Sequence, residues 1–498
     1  MSAQGGLAEY ADVHEYIDRH FEEHLAATRR FLQQPSVSLV PPGVDGGVRQ
    51  CAAMLRDILK ELGCERAEVV EFDRGNPVVF GKLRSKNPNA KTLIAYSLYD
   101  VMPVDDEVWA APPFAAEILD ARAIDLPDFY GKCIVARGAR NQKGPIMGFV
   151  NALRSLRAVR GDIPVNVIFT FDGEEELGSM NFVGPFRQRF LDELKQADVA
   201  YYLNPSQNAK GDQVLYLGNR GIAFGELEIR GGEWGGPAKG PLFAPHDLWV
   251  DSPAWRLAQA LATLKDRDGN ILVEGFYDNV RPPSAEDREL LEQLKASFDE
   301  EQTKRDLGIH RFKRGRSGSE LYETFLMRPN INIDGYSSGY TGAYVKTMFP
   351  DRALAKIDIR LVPDQTMDEV LGKLRKHFDR HGFPEVEIKI QGCYNPSKTS
   401  LRAPITQAAI RAAELHGVKT VCWPIYYAGI PMAVFSDPPL NLPAIGFGLG
   451  RMGREHIANE YFTVEGLHLY EKFVVTFLHE LARQSSEPLD STVTARLM

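Results

Sequence analysis

Apolar residues recur at helical spacing over residues 10–34, where Pro35 ends the run, and again over 47–62, where Cys51, Met54, Leu55, Ile58 and Leu62 share one face. Short apolar runs follow at 67–72, 78–82 and 92–97. Residues 144–157 carry a helical pattern. The run 165–171 is rich in β-branched and aromatic residues and predicts a buried strand, as does 198–203. Alternating strands and helices predict an α/β domain with a largely parallel sheet. From about Phe224 the texture changes. Residues 225–230 alternate as a half-buried strand, and 252–264 read as a helix opened by Ser-Pro. A helix at 366–377 and an alternating strand at 385–391 complete a smaller α+β region. Residues 281–318 are charged, with apolar patterning enough for one helix, and are expected at the surface. After Cys393 the α/β texture returns, with helices at 404–416 and 463–483. The predicted organisation is a discontinuous α/β domain, 1–222 and 394–498, interrupted by an inserted domain, 223–393.

A chain of 498 residues fits two domains better than one core. Its 44% hydrophobic and 25% charged residues are ordinary globular composition, and a net charge of -9 argues against nucleic acid or an anionic membrane as partner. No apolar run approaches the roughly 18 residues of a membrane span. The start, Met1-Ser2-Ala3-Gln4-Gly5-Gly6, shows no basic-then-apolar leader pattern. Five cysteines (51, 64, 133, 393, 422) have no paired spacing, which predicts reduced thiols in a cytoplasmic protein.

The segment Phe169-Thr170-Phe171-Asp172-Gly173-Glu174-Glu175-Glu176-Leu177-Gly178-Ser179 places clustered acids at the end of a predicted strand, where open α/β sheets build their sites. A solvated acidic turn is the plainer alternative. The segment is similar to the Glu-Gly-x-Glu-Glu-x-Gly-Ser signature of the di-zinc metallopeptidases that include carnosinase, aminoacylase and succinyl-diaminopimelate desuccinylase. The likeness continues in order along the chain. Tyr99-Asp100-Val101-Met102-Pro103 with Trp109 and Pro113-Phe114 resembles the family's His-x-Asp-Val-x-Pro segment. Arg137-Gly138-Ala139 with Lys143-Gly144-Pro145 resembles its Arg-Gly-x-x-Asp-x-Lys-Gly, and Arg360-Leu361-Val362-Pro363 the lid of the carnosinase branch. His456-Ile457-Ala458-Asn459-Glu460 resembles its final His-x-x-Asn-Glu.

The resemblance implies a peptidase-like α/β catalytic domain with an inserted α+β lid that also dimerises the protein. It assigns Glu175 as the general base, Glu176 and His456 as ligands of one metal ion, and Asp100 as a carboxylate that orients a ligand from behind. Three further ligand positions depart from the family. Leu98 stands for the first histidine, Asn141 for the bridging aspartate, and Asn204 for the last aspartate. An amide oxygen is a poor zinc ligand and leucine is none. The expectation is therefore no di-zinc centre, and at most one weakly held divalent ion, zinc, on Glu176, His456 and Asn141.

The substrate side differs as well. Arg360 matches a carboxylate-binding lid arginine, with a structural salt bridge as the alternative role. Asn204 remains positioned for substrate. His246 lies four residues from the place of a lid histidine and is otherwise a surface residue. Tyr426 and Tyr427 replace polar turn residues, which predicts a more apolar pocket. The function implied is hydrolysis of a small amide-type or amino-acid-derived substrate. A repurposed metal-independent acid–base enzyme (isomerase, lyase or acyl transferase) and a non-catalytic binding relative stand as alternatives.

Overall fold

The computed structural model describes residues 6–41, 43–104, 107–297 and 299–484. Residues 1–5 of the start segment lie outside them. The chain divides into two compact units: 1–218, 398–424 and 432–498, and 219–397 with 425–431.

The first unit is built on an eight-stranded sheet. Its order is Arg66–Val70, Val78–Leu83, Asn166–Asp172, Thr92–Leu98, Val199–Leu203, Ala444–Phe447, Gln213–Tyr216 and Thr420–Trp423. The central strands, from Asn166–Asp172 to Ala444–Phe447, run parallel. The pairs at Arg66–Val70/Val78–Leu83, Val78–Leu83/Asn166–Asp172 and Ala444–Phe447/Gln213–Tyr216 are antiparallel. The sheet is thus mixed, parallel at its centre and again where Thr420–Trp423 joins Gln213–Tyr216. The seven residues joining Val70 to Val78 are too few for a crossover, so those strands can only form a hairpin.

Among the described residues this unit has five long helices: Ala11–Gln33, Val48–Leu62, Lys143–Arg160, Pro404–Leu415 and Val464–Arg483. Gly47 and Gly63 bound the second of these in left-handed conformations, and Gly63 N–H closes onto the carbonyls of Leu59 and Lys60. The central strands are buried on both faces, which explains their unbroken apolar runs.

The second unit contains an antiparallel sheet in the order Asn330–Ser338, Arg352–Leu361, Gly218–Arg230 and Glu387–Tyr394. Leu227, Leu257, Ile357, Leu374 and Phe378 lie in its core, contributed by the strands and by helices Pro253–Ala262 and Met367–Arg380. Residues 425–431, expected with the α/β part, cluster here because Tyr426–Gly429 pairs in parallel with Gly218–Arg230. The charged stretch 281–318 forms two helices, Ala285–Ser297 and Glu300–Leu307, where one was expected. The second has no apolar stripe to announce it. It is fixed by the Asp299 carboxylate, which accepts from Gln302 N–H at 2.8 Å.

Candidate active site

Strands Thr92–Leu98 and Asn166–Asp172 end together, with Leu98 opposite Asp172. The loops that follow are therefore neighbours at the carboxyl edge of the sheet. Tyr99 N–H donates to Asp172 O at 2.9 Å, and its hydroxyl to Pro77 O at 2.6 Å. Glycine is needed at 173 because a Cβ there would stand 2.3 Å from the Tyr99 hydroxyl and 2.5 Å from Pro77 O.

Glu175 and Glu176 sit on a single helical turn, Glu175–Leu177. The buried Asp100 carboxylate holds that turn. Its oxygens accept from the N–H groups of Glu175 and Glu176, each at 3.1 Å, and from Ser38 Oγ at 2.7 Å. The Glu174 carboxylate secures the flank by accepting from Asn76 N–H at 3.0 Å and Asn181 N–H at 2.5 Å.

Asn141 comes from the loop ahead of helix Lys143–Arg160. Glu460, fully buried, accepts the N–H groups of Arg140 and Asn141 on one oxygen at 2.9 and 2.8 Å. Its other oxygen meets Arg137 Nη1 at 3.1 Å. The Asn141 amide nitrogen then lies 2.7 Å from Glu176 Oε1 and 3.0 Å from His456 Nε2, and His456 Nε2 lies 3.1 Å from the same carboxylate oxygen. Glu176, Asn141 and His456 close a triangle of hydrogen-bonding groups beside Glu175.

Burial, then repulsion from Glu176, raises both Asp100 and Glu175 well above the usual carboxylate range. Burial lifts Asp172 to about 7. His456 is raised by its hydrogen bond to Glu176. Leu98 is buried at its strand end. Asn204, following strand Val199–Leu203, is buried with its Oδ1 unpartnered among the described residues.

Among the described residues no group of three or more His, Cys, Asp or Glu side chains is arranged to hold an ion. The positions Leu98 and Asn204 offer an alkyl group and a neutral amide. A single ion would have Glu176, His456 and, with its amide turned over, the Asn141 oxygen.

Arg360, Tyr426, Tyr427 and His246 belong to the second unit. Arg360 pairs with Asp358 at 3.1 Å and, with Tyr427, lines a cavity of about 380 Å³. Tyr426 is buried against Tyr427, with ring centroids 4.7 Å apart. Tyr427 offers this cavity an aromatic surface, and its wall also carries arginines and a lysine. His246 is not brought to this cavity. Its ring stacks on Trp249 and accepts from the indole N–H at 2.7 Å.

Several positioning residues carried no assigned role in the sequence: Ser38, Arg137 and Glu460. The last two lie in segments that resemble the family, Arg137-Gly138-Ala139 and His456-Ile457-Ala458-Asn459-Glu460, and that resemblance was the available signal. Ser38, in an irregular stretch 62 residues before Asp100, gave none.

A family model described as peptidase family M20/M25/M40 matches residues 95–480. The Beta-Ala-His dipeptidase of Mus musculus is 25% identical over 524 aligned positions, covering 97% of this chain and 98% of its own. The Cys-Gly metallodipeptidase of Candida albicans is 27% identical over 61% of this chain and 60% of its own. Among solved structures, an M20 family metallo-carboxypeptidase from Sulfolobus solfataricus superposes with a TM-score of 0.81 at 30% identity, covering 93% of this chain and all of its own. Human carnosine dipeptidase 1 shares the fold with a TM-score of 0.74 at 23% identity, over 96% of this chain and 99% of its own.

Proposed function

Because the chain belongs to the M20/M25/M40 peptidase family, we propose that it hydrolyses a small amide-type or amino-acid-derived substrate with Glu175 as general base and without a di-zinc centre. Membership makes it a protein of a hydrolase family. The observation that carries the proposal is the Asp100-anchored turn, which presents Glu175 beside the Glu176–Asn141–His456 triangle. The relatives named Beta-Ala-His dipeptidase and Cys-Gly metallodipeptidase support a dipeptide-sized substrate.

In this reading Glu175 takes a proton from the attacking water as its oxygen bonds to the carbonyl carbon. It returns that proton to the leaving nitrogen as the C–N bond breaks. Asp100 fixes the position of the base through two backbone N–H groups. Asn204 borders the substrate on the first unit, and Arg360, whose planar fork suits a carboxylate, is proposed as a carboxylate-binding residue of the second unit. No step is routed through a metal, because the donors at Leu98, Asn141 and Asn204 do not support a dinuclear site. One divalent ion at most is proposed for Glu176, His456 and Asn141. The protein is proposed to be a homodimer through residues 223–393. Five cysteines without disulfides support a reducing, cytoplasmic setting, and among the described residues no helix is long and apolar enough to cross a membrane.

The test measures hydrolysis of Cys-Gly and β-Ala-His by the full chain, together with zinc stoichiometry after dialysis. Glu175→Gln is expected to lower kcat/KM by about 10²–10⁴-fold with unchanged circular dichroism. Wild type should retain at most one zinc, and the triple substitution Leu98→His, Asn141→Asp, Asn204→Asp should raise this to two. An unaffected Glu175→Gln enzyme refutes the role of Glu175, and two zinc ions in wild type refute the metal assignment. Activity that survives chelation selects the metal-independent branch.

A further inference from the structure

The cavity of about 380 Å³ in the second unit is walled by Arg220, Lys313, Arg314, Arg316, Arg328 and Arg360, against one lining carboxylate, Asp268. Some of these cations are already neutralised. Arg360 pairs with Asp358 at 3.1 Å and Arg316 with Glu320 at 3.0 Å, while Arg314 reaches Asp268 only at 3.7 Å. Arg220, Lys313 and Arg328 have no carboxylate within ion-pair distance among the described residues.

Arg220 is the decisive one. It is 5% exposed, and among the described residues its guanidinium donates only to backbone carbonyls, to Arg328 O at 2.9 Å and to Phe325 O. A buried guanidinium facing a cavity with no carboxylate partner is costly unless something anionic arrives. Burial, then repulsion from Arg360, lowers its pKa to about 10, so it stays charged at neutral pH. Lys313 adds to the same field, since repulsion from it, after burial, lowers the neighbouring Lys265. The two carbonyl bonds hold the Arg220 fork in place before any ligand binds. Beside it Phe325 and Tyr427 stack with centroids 5.6 Å apart, giving the wall a flat apolar face.

We propose that this cavity binds a compact anion carrying two or more negative charges, of the phosphate monoester or dicarboxylate class. Its charges would lie on Arg220, Lys313 and Arg328, and its carbon body on the Phe325–Tyr427 face. One carboxylate would satisfy Arg220 and leave Lys313 and Arg328 without a counter-charge. Two or more charges match the unpaired set. The proposal shares Arg360 with the proposed function and rests on it to that extent, but it concerns binding and needs no turnover.

The experiment is calorimetric titration of the full chain with inorganic phosphate, with glutarate and with acetate, at one ionic strength set by sodium chloride. Phosphate, glutarate or both should bind more tightly than acetate. Phosphate alone assigns the phosphate class, glutarate alone the dicarboxylate class, and both the shared charge requirement. The double substitution Lys313→Gln, Arg314→Gln, on an exposed turn, should weaken binding about tenfold or more, the size expected for losing one charge-assisted contact. Arg220→Lys, which keeps charge but loses the fork, should weaken it as well. Binding should persist in Glu175→Gln, so failure here and failure of the hydrolytic reading are separable. No binding of phosphate or glutarate, acetate binding equally well, or affinity untouched by the Lys313/Arg314 substitutions would overturn the proposal.

Discussion

Replacing Arg137 with methionine should be among the most damaging single changes in the first unit. Its guanidinium is 1% exposed and reaches Glu460 at 3.1 Å, Glu107 at 3.0 Å and Pro103 O at 3.1 Å, beneath the ring of Trp109. Arg137→Met strands the fully buried Glu460, and breaking a buried pair from one side costs about 3–5 kcal/mol. Glu460→Gln should cost less, about 1–3 kcal/mol, because Arg137 keeps the half-exposed Glu107. The double variant should fall short of the summed losses by about 1–3 kcal/mol, since both singles break one contact. Urea unfolding followed by tryptophan fluorescence measures all three, with Trp109 as a local reporter. The sign with pH is also fixed. Burial already raises the Glu460 carboxyl, and Arg137 opposes that shift. Without Arg137 its folded pKa rises further, so stability is present below the ordinary carboxylate range and lost as pH increases through the folded pKa. The Arg137→Met deficit should therefore shrink in mild acid. A loss under about 1 kcal/mol, additive singles, or a deficit that grows in acid would refute this account of the network.

Acid should destabilise the first unit through buried histidines. Burial, then nearby Lys472, lowers His14 from 6.5 to about 4, and burial, then His14, lowers His416 to about 3, with the two rings 5.7 Å apart. Folded pKa values below the unfolded ones mean stability is present above about pH 6.5 and is lost as pH falls through the folded values. For His14 this amounts to about 3 kcal/mol. His416→Phe should flatten the loss in a series of thermal melts, and an unchanged slope would count against it. Gly173→Ala should lower activity and cost about 1–3 kcal/mol, because its Cβ would collide with the Tyr99 hydroxyl and Pro77 O. Wild-type stability and turnover in that variant would show that the loop yields more easily than its contacts indicate.

The regular elements were legible because burial imposes periodicity on sequence. The run 165–171 announced strand Asn166–Asp172, and the stripe on 47–62 announced helix Val48–Leu62. Glu300–Leu307 was missed because a polar cap and charge hold it, with no buried stripe. The direction of single strands was not legible, because an apolar run is the same read in either direction. Within the site, Glu175, Glu176, Asn141 and His456 were named through the family resemblance, and hydrogen bonds join Glu176, Asn141 and His456. The partner of Asp100 was not foreseen. Its carboxylate meets the backbone of the Glu175–Leu177 turn and Ser38, and backbone N–H groups leave no mark in a sequence. The cation-lined cavity was obscured for a related reason. Its charges come from strand Gly218–Arg230, the turn Lys313–Gly315 and Arg328, far apart in the chain, so only Tyr427 and Arg360 drew attention.

Asn141 gives the altered ligand positions a physical logic. A carboxylate at 141 would face Glu176 Oε1 at the 2.7 Å now spanned by the amide, and two carboxylates that close are stable only with a cation or proton between them. The amide N–H supplies the positive end of that contact. Glu176 is then held by Asn141 and His456 through hydrogen bonds, and the local need for a cation falls with the charge that created it. On the proposed reading Leu98 and Asn204 act in the same direction, one offering an alkyl group and the other a neutral amide where the family pattern has charged or imidazole ligands. If Asn141→Asp were made alone, Glu176 and the introduced carboxylate would have to share a proton or recruit an ion. On the proposed reading the wild-type side chains keep the turn, the base and the histidine in register by hydrogen bonding. The hydrolytic power that remains must then come from Glu175 and from substrate positioning, which makes an activated amide a better substrate than an ordinary peptide bond.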